Sequence, residues 1–171
     1  GMERVKLYDA DGNGLGKVAV GLYTRQLMQA YPWLPIEEDG RLLDPALKEN
    51  FISRVFACYD YQQAMAAGFT VGKLVAFHSR YNFFFIAHSP VAYRQLGKLV
   101  AEAKLFTPAA LQQRYLTELM QALSNIANRK QHANVLQHLQ GFLKKLMDSA
   151  ARQEMADLID RYRRGLVPLM A

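Results

Sequence analysis

Residues Lys73-Leu74-Val75-Ala76-Phe77-His78-Ser79-Arg80-Tyr81-Asn82-Phe83-Phe84-Phe85-Ile86-Ala87-His88-Ser89-Pro90 read as one amphipathic helix followed at once by the start of another. At about 100° per residue, Leu74, Phe77, Tyr81 and Phe84 share one apolar stripe. His88 projects into the middle of that stripe and His78 lies at its edge. Ser89-Pro90 couples a capping side chain to a proline at the first helical position, where the missing N–H costs nothing. Asp44-Pro45 and Thr107-Pro108 repeat that punctuation. The spacing predicts helices over 45–66, 71–88, 90–103 and 108–128. Asn134-Val135-Leu136-Gln137 has the form of a capping box and predicts a fifth helix over 135–147. A last helix spans 150–164, stopped by Gly165 and Pro168.

Upstream the pattern is mixed. Arg4-Val5-Lys6-Leu7-Tyr8 alternates as a short strand does. Asp11-Gly12-Asn13-Gly14-Leu15-Gly16 reads as a turn-rich loop, and 17–30 as a helix with Val18, Leu22, Leu27 and Met28 on its apolar side. Tyr31-Pro32-Trp33-Leu34-Pro35 ends that helix. Ile36-Glu37-Glu38-Asp39-Gly40 reads as an exposed acidic connector. The expectation is a mainly α protein, a bundle of five to six helices with a small mixed N-terminal appendage.

A chain of 171 residues, 51% hydrophobic, can bury a core without staples. Its single cysteine, Cys58, excludes a disulfide framework within the chain and argues against a thiolate metal site. It sits among Phe51, Val55 and Phe56, so a buried thiol is expected rather than a nucleophile. No apolar run reaches the length of a membrane span, and no signal peptide is evident, so a cytoplasmic protein with no membrane partner is expected. The net charge of +6 is unevenly spread. Residues 1–69 carry seven basic and nine acidic side chains, whereas residues 70–171 carry fourteen and six. A basic helical region attracts phosphates or nucleic acid.

The apolar phase shifts near residue 130. Leu119, Leu123 and Ile126 share one stripe; Leu136, Leu139, Leu143 and Leu146 share another on nearly the opposite side of a continuous helix. One straight helix would bury one half and expose the other, so a break is expected between Ala127 and Asn134. The broken stretch, Asn128-Arg129-Lys130-Gln131-His132-Ala133-Asn134, is polar at six of seven positions and is a candidate site.

Other chemistries find little support. His132 and His138 are six apart and His78 and His88 ten apart, with no short-spaced ligand pair, so no metal is expected. There is no Gly-x-Ser-x-Gly elbow and no phosphate-binding glycine signature; Gly12, Gly14 and Gly16 have the wrong spacing. The basic pairs Arg129-Lys130 and Lys144-Lys145 and the cluster Arg161, Arg163 and Arg164 are interleaved with Tyr81, Tyr93, Tyr115 and Tyr162. A groove combining them would hold a base by stacking and a phosphate by charge.

Lys73 to Tyr81, Ala87-His88-Ser89-Pro90, Tyr93-x-x-Leu96-Gly97, Arg129-Lys130-x-His132-x-Asn134-Val135-Leu136-Gln137-His138-x-x-Gly141, Lys144-Lys145 and Tyr162-Arg163-x-Gly165-x-x-Pro168-Leu169 together resemble the YbgA-like family of bacterial domains. The resemblance covers residues 70–171 and brings no known activity. Gly1-Met2-Glu3-Arg4-Val5, the stretch Leu34 to Leu42, and Glu49-Asn50-Phe51-Ile52-x-Arg54-Val55-Phe56 resemble the C-terminal end of the thiouracil desulfurase family. That resemblance divides the chain into a desulfurase-like remnant, 1–66, and a YbgA-like helical domain, 70–171. Desulfurases of that family hold an iron–sulfur cluster on three cysteines, the last directly before the Gly-x-Glu-Arg-Val stretch. The chain is therefore expected to be an interior piece that begins just after that cysteine. It would carry no cofactor itself, with the cluster and the desulfurase activity belonging to the full-length protein.

Three functions follow as expectations. An accessory domain would bind a thiolated nucleobase, nucleoside or RNA for the fused desulfurase. Arg129 and Lys130 would take phosphate or a polarised atom, His132 and Asn134 the base edges, and Tyr81 would stack. A separate enzyme would use His78, His88, His132 or His138 as acid or base, and needs at least two of them to converge beside Arg129 or Lys130. A protein-interaction module would show a flat apolar patch instead.

Overall fold

The computed structural model describes residues 6–8, 14–18 and 21–169. Lys6–Tyr8 (β1) pairs antiparallel with Gly14–Val18 (β2), Lys6 opposite Val18 and Tyr8 opposite Gly14. The helix expected from residue 17 begins only at Leu22: α1 is Leu22–Ala30, and Lys17 and Val18 belong to the strand. Glycines at 14 and 16 are poor helix formers, and the β-branched Val18 suits a paired strand better than a helical turn. Arg4, Val5 and Asp11 to Asn13 lie outside the described residues. α1 buries none of its side chains, and Leu22 is exposed.

Every expected proline-marked cap forms. Asp44 accepts from the backbone N–H groups of Ala46 and Leu47 and opens α2, Pro45–Met65. Thr70 opens α3, Val71–His88; Ser89 opens α4, Pro90–Ala101; Thr107 opens α5, Pro108–Leu123. Each cap satisfies an N–H that the first helical turn leaves without a partner. α6 spans Arg129–Leu143 and α7 spans Ser149–Arg163. The described residues thus hold seven α-helices, slightly more than the expected five to six.

The inner faces of α2, α3, α4 and α5 meet in one core. Tyr61, Phe85, Leu74, Leu111, Tyr115, Leu119 and Leu123 are fully buried there. α2 enters that core through Ala57, Cys58, Tyr61 and Met65, with Trp33 packed against its margin. Cys58 is buried as expected, and burial pushes its thiol pKa up, away from thiolate chemistry. α6 lies against α3, and α7 packs back along α6 as a hairpin.

The chain breaks near the expected phase shift, but earlier. α5 ends at Leu123, not 128, and the capping box is Asn128 with Gln131, not Asn134 with Gln137. Asn128 Oδ1 accepts from the Gln131 N–H at 3.0 Å, and Gln131 Oε1 accepts from the Asn128 N–H at 3.0 Å. Both tetrads have the right spelling; the one next to Leu123 lets α6 start sooner and lay Ala133 on α3. Ile126, Leu143 and Leu146, all expected on apolar stripes, are exposed. The acidic connector also differs. Asp39–Leu43 forms a 3-10 turn, and Glu37 is not exposed: its side chain is 9% accessible and its carboxylate pairs with Arg41 at 3.0 Å.

Candidate functional site

The break places the start of α6 where the C-terminus of α3, the beginning of α2 and the end of α7 come together. His88, the last residue of α3, is buried. Its Nδ1–H donates to the Asn125 carbonyl at 2.6 Å, and Asn50 Nδ2 donates to the Leu123 carbonyl at 3.0 Å. These bonds satisfy the carbonyls that the end of α5 leaves open. Gln131 Nε2 in turn donates to the His88 carbonyl at 3.2 Å, tying α6 to α3. With its proton on Nδ1, the neutral His88 ring keeps a lone pair on Nε2, which has no hydrogen-bond partner among the described residues. Burial lowers the pKa of His88, and His132 lowers it further by like charge; the Asn125 bond and Glu49 act the other way.

One turn along α6, His132 Nδ1 shares a 2.8 Å hydrogen bond with the Tyr162 hydroxyl of α7, and the two rings lie stacked. Burial lowers the His132 pKa and raises that of Tyr162, so the pair is neutral near pH 7. Glu49 acts on His88, His132 and Tyr162 alike, and Arg129 acts on Tyr162. Five titratable or charged groups from four helices therefore share one junction.

Gly165 seats Arg129. The end of α7 closes with the Leu166 N–H on the Arg161 carbonyl and the Gly165 N–H on the Tyr162 carbonyl, each at 2.9 Å, and Gly165 takes a φ of 79°. That left-handed turn favours glycine. A Cβ there would also collide with Arg129 Nη1, so the guanidinium occupies the space that a side chain at 165 would need. No carboxylate lies within ion-pair distance of Arg129 among the described residues. Arg129 and Lys130 open α6 with no acidic residue in its first turn. Two cations at the positive end of a helix oppose the macrodipole, an arrangement that an anion relieves.

A groove of about 600 Å³ runs between α4 and α5 and meets the junction at Ser89 and Asn125. Its charges are paired along their own helices, Lys98 with Glu102 at 3.7 Å and Arg114 with Glu118 at 2.7 Å. The volume falls in the range of small-molecule sites.

The expected site residues thus divide. His88, Arg129 and His132 come together. Arg129 is exposed, as are Lys130 and Asn134 on α6 and His138 farther along it. His78 lies elsewhere, half-buried in the aromatic core. It shares a 3.0 Å hydrogen bond with the Tyr115 hydroxyl and stacks on Tyr93. Tyr81 is also remote: its hydroxyl donates to Asp60 at 2.7 Å, and burial, together with that bond, pushes its pKa up to about 12. Tyr115 is fully buried, so it offers no stacking face to a base. Sequence reading missed Glu49, Asn50 and Asn125 as site residues, and gave Gln131 only as part of the polar stretch 128–134. Tyr162 was legible only as an aromatic among arginines, and Asn50 carries no local signal, since its partner is 73 residues away.

Residues 82–171, a little over half of the chain, match the family described as a protein of unknown function (DUF1722). An uncharacterised protein, YbgA of Escherichia coli strain K12, is 39% identical over 124 residues, covering 72% of this chain and 73% of the relative. The chain belongs to the DUF1722, YbgA-like family. No solved structure matches it. The family match takes in α6, α7 and the end of α3, and so contains His88, Arg129, His132 and Tyr162. Among the described residues no helix is long and apolar enough to cross a membrane, and no cluster of three His, Cys, Asp or Glu side chains could hold a metal ion.

Proposed function

We propose that this YbgA-like domain is a ligand-binding module. It holds the anionic or polarised end of a thiolated nucleobase, nucleoside or RNA at the α3–α6–α7 junction, serving a desulfurase domain in a longer protein. The observation that carries this reading is Arg129: a guanidinium seated on Gly165 at the positive end of α6, with no carboxylate partner among the described residues. A guanidinium so placed presents its fork to phosphate or to a polarised oxygen or sulfur. His88 Nε2 accepts a hydrogen bond from a base edge, and the groove beside Ser89 and Asn125 takes the ring system. The desulfurase partner rests on the resemblance of residues 1–66; a three-cysteine cluster would be held outside this chain, whose one cysteine is buried.

Titration calorimetry with thiolated nucleosides, with and without a phosphate, tests the reading. Arg129→Ala should weaken the phosphorylated ligand by about tenfold or more, the scale of a charge-assisted hydrogen bond. Equal affinity of wild type, Arg129→Ala and Lys130→Ala would remove the site.

A second reading has its own support. His88 and His132 converge beside Arg129, and the His132–Tyr162 pair is the type of dyad that moves a proton. In that reading the junction is itself catalytic, with His132 as acid or base. His132→Gln would then abolish turnover of a ligand that it still binds.

A further inference from the structure

No acidic residue occurs between Glu118 and Asp148, a stretch that contains all of α6. A cationic pair stands at each end of that helix: Arg129 and Lys130 at its start, Lys144 and Lys145 just past Leu143. Lys130, Asn134, Gln137, His138, Gly141 and Lys145 follow one another at helical spacing along the solvent side, and all are exposed. A Cβ at Gly141 would meet no atom of the described residues within 4 Å, so the surface there is open. Next to it Phe142 is 72% exposed, and its ring is braced edge-on by Phe83 of α3 at 5.7 Å between centroids. An exposed aromatic held in one orientation by a neighbour is a stacking platform rather than an unsatisfied core residue.

We propose that the solvent face of α6 is a binding track for single-stranded nucleic acid. It extends the junction site from one nucleotide to several, and so rests on the reading that Arg129 receives a nucleotide phosphate. Phosphates engage the two cationic pairs, a base stacks on Phe142, and Asn134, Gln137 and His138 supply hydrogen bonds between them. The helix spans about 22 Å, longer than a mononucleotide. An anionic membrane is the competing occupant, because Phe142 and Leu146 flank the lysine pair. A helix lying on a membrane needs an apolar face along its length. From Lys130 to Gly141 this face is polar, and its exposed apolar side chains, Phe142, Leu143 and Leu146, are confined to the C-terminal end, which favours a polynucleotide.

Fluorescence anisotropy with a labelled single-stranded RNA of about a dozen nucleotides tests the track, set beside calorimetry with a nucleoside monophosphate. Phe142→Ala and the double variant Lys144→Ala/Lys145→Ala should each weaken the oligonucleotide by about tenfold and leave the mononucleotide unchanged. The double lysine variant should also shallow the salt dependence by about 1.4 in log–log slope, at 0.7 per phosphate contact. Arg129→Ala should weaken both ligands. Thermal melts report folding of each variant, and all the substitutions are at exposed positions. An oligonucleotide bound no tighter than the mononucleotide, or one indifferent to Phe142 and both lysines, overturns the track and leaves the junction standing. Failure of both ligands to bind wild type overturns both. Binding to phosphatidylserine vesicles that is lost in Phe142→Ala, without RNA binding, assigns the face to a membrane and overturns the proposal.

Discussion

His78 and His88 lie ten residues apart on α3, and burial lowers the pKa of both, yet they belong to two different kinds of interior. His78 is held among Tyr93, Phe85 and Tyr115, where ring packing fixes it and its hydrogen bond goes to a tyrosine that water cannot reach. His88 sits where three helix ends meet, and its partners are backbone carbonyls, amide side chains and other ionisable groups. In the first region the polar atoms serve the packing. In the second the packing serves to gather polar atoms, because helix ends leave carbonyls and N–H groups that must be satisfied. One helix thus anchors the core with its middle and assembles a candidate binding site with its last turn.

The comparison breaks most visibly in the core. Phe85 is fully buried against Tyr81 and His78, and Phe85→Ala should cost about 3–5 kcal/mol in chemical denaturation. A cost under about 1 kcal/mol would show that the aromatic cluster is not what holds α3. The corresponding test at the junction is Gly165→Ala. The left-handed backbone disfavours any Cβ by about 1–2 kcal/mol. Because Arg129 must also move, ligand affinity should fall along with stability. Lost stability with unchanged affinity would separate Arg129 from the ligand.

These two regions were not equally legible. The core could be read because its signals are local and periodic: Leu74 and Phe77 announce the buried stripe of α3, and Asp44-Pro45, Ser89-Pro90 and Thr107-Pro108 announce the starts of the helices around it. The junction was legible in one half. The shift of apolar phase revealed that the chain must turn and that Arg129 and His132 stand near the turn. It did not locate the start of α6: the sequence points to Asn134 to Gln137 as its cap, whereas Asn128 to Gln131 caps the helix. That start depends on where α6 meets α3, a long-range fact. The same holds for Asn50, Glu49 and Tyr162, which reach the site from elements distant in sequence, and for Glu37, whose carboxylate is covered by a fold that no local pattern encodes. Arg54 is a further case. It interacts with Glu37, and its Nε is buried with no hydrogen-bond partner among the described residues.

A smaller effect sharpens the junction itself. Tyr162→Phe removes only the hydroxyl that bonds His132 and should cost about 1 kcal/mol. The His78 bond to Tyr115 offers the matched control: Tyr115→Phe deletes the same kind of contact in the aromatic core. If the junction is a ligand site, only Tyr162→Phe should alter binding, although both should reduce stability.

The finest readout is a slope with pH. His78, His88 and His132 all have their pKa lowered by burial from the ordinary value of 6.5, so the unfolded chain takes up protons at a higher pH than the native one. Below about pH 6.5 the unfolded state therefore binds more protons, and stability falls as pH falls, until the native rings are protonated as well. This is the opposite of a histidine that gains an acidic partner, whose stabilisation would be lost on raising the pH. Denaturation series between pH 7.5 and 5 should show the fall, and His88→Gln should flatten it, because glutamine can donate to the Asn125 carbonyl without titrating. Should stability instead rise on acidification, Glu49 would outweigh burial at the junction. His88 and His132 would then be charged groups awaiting an anion rather than neutral ones gathered by helix ends.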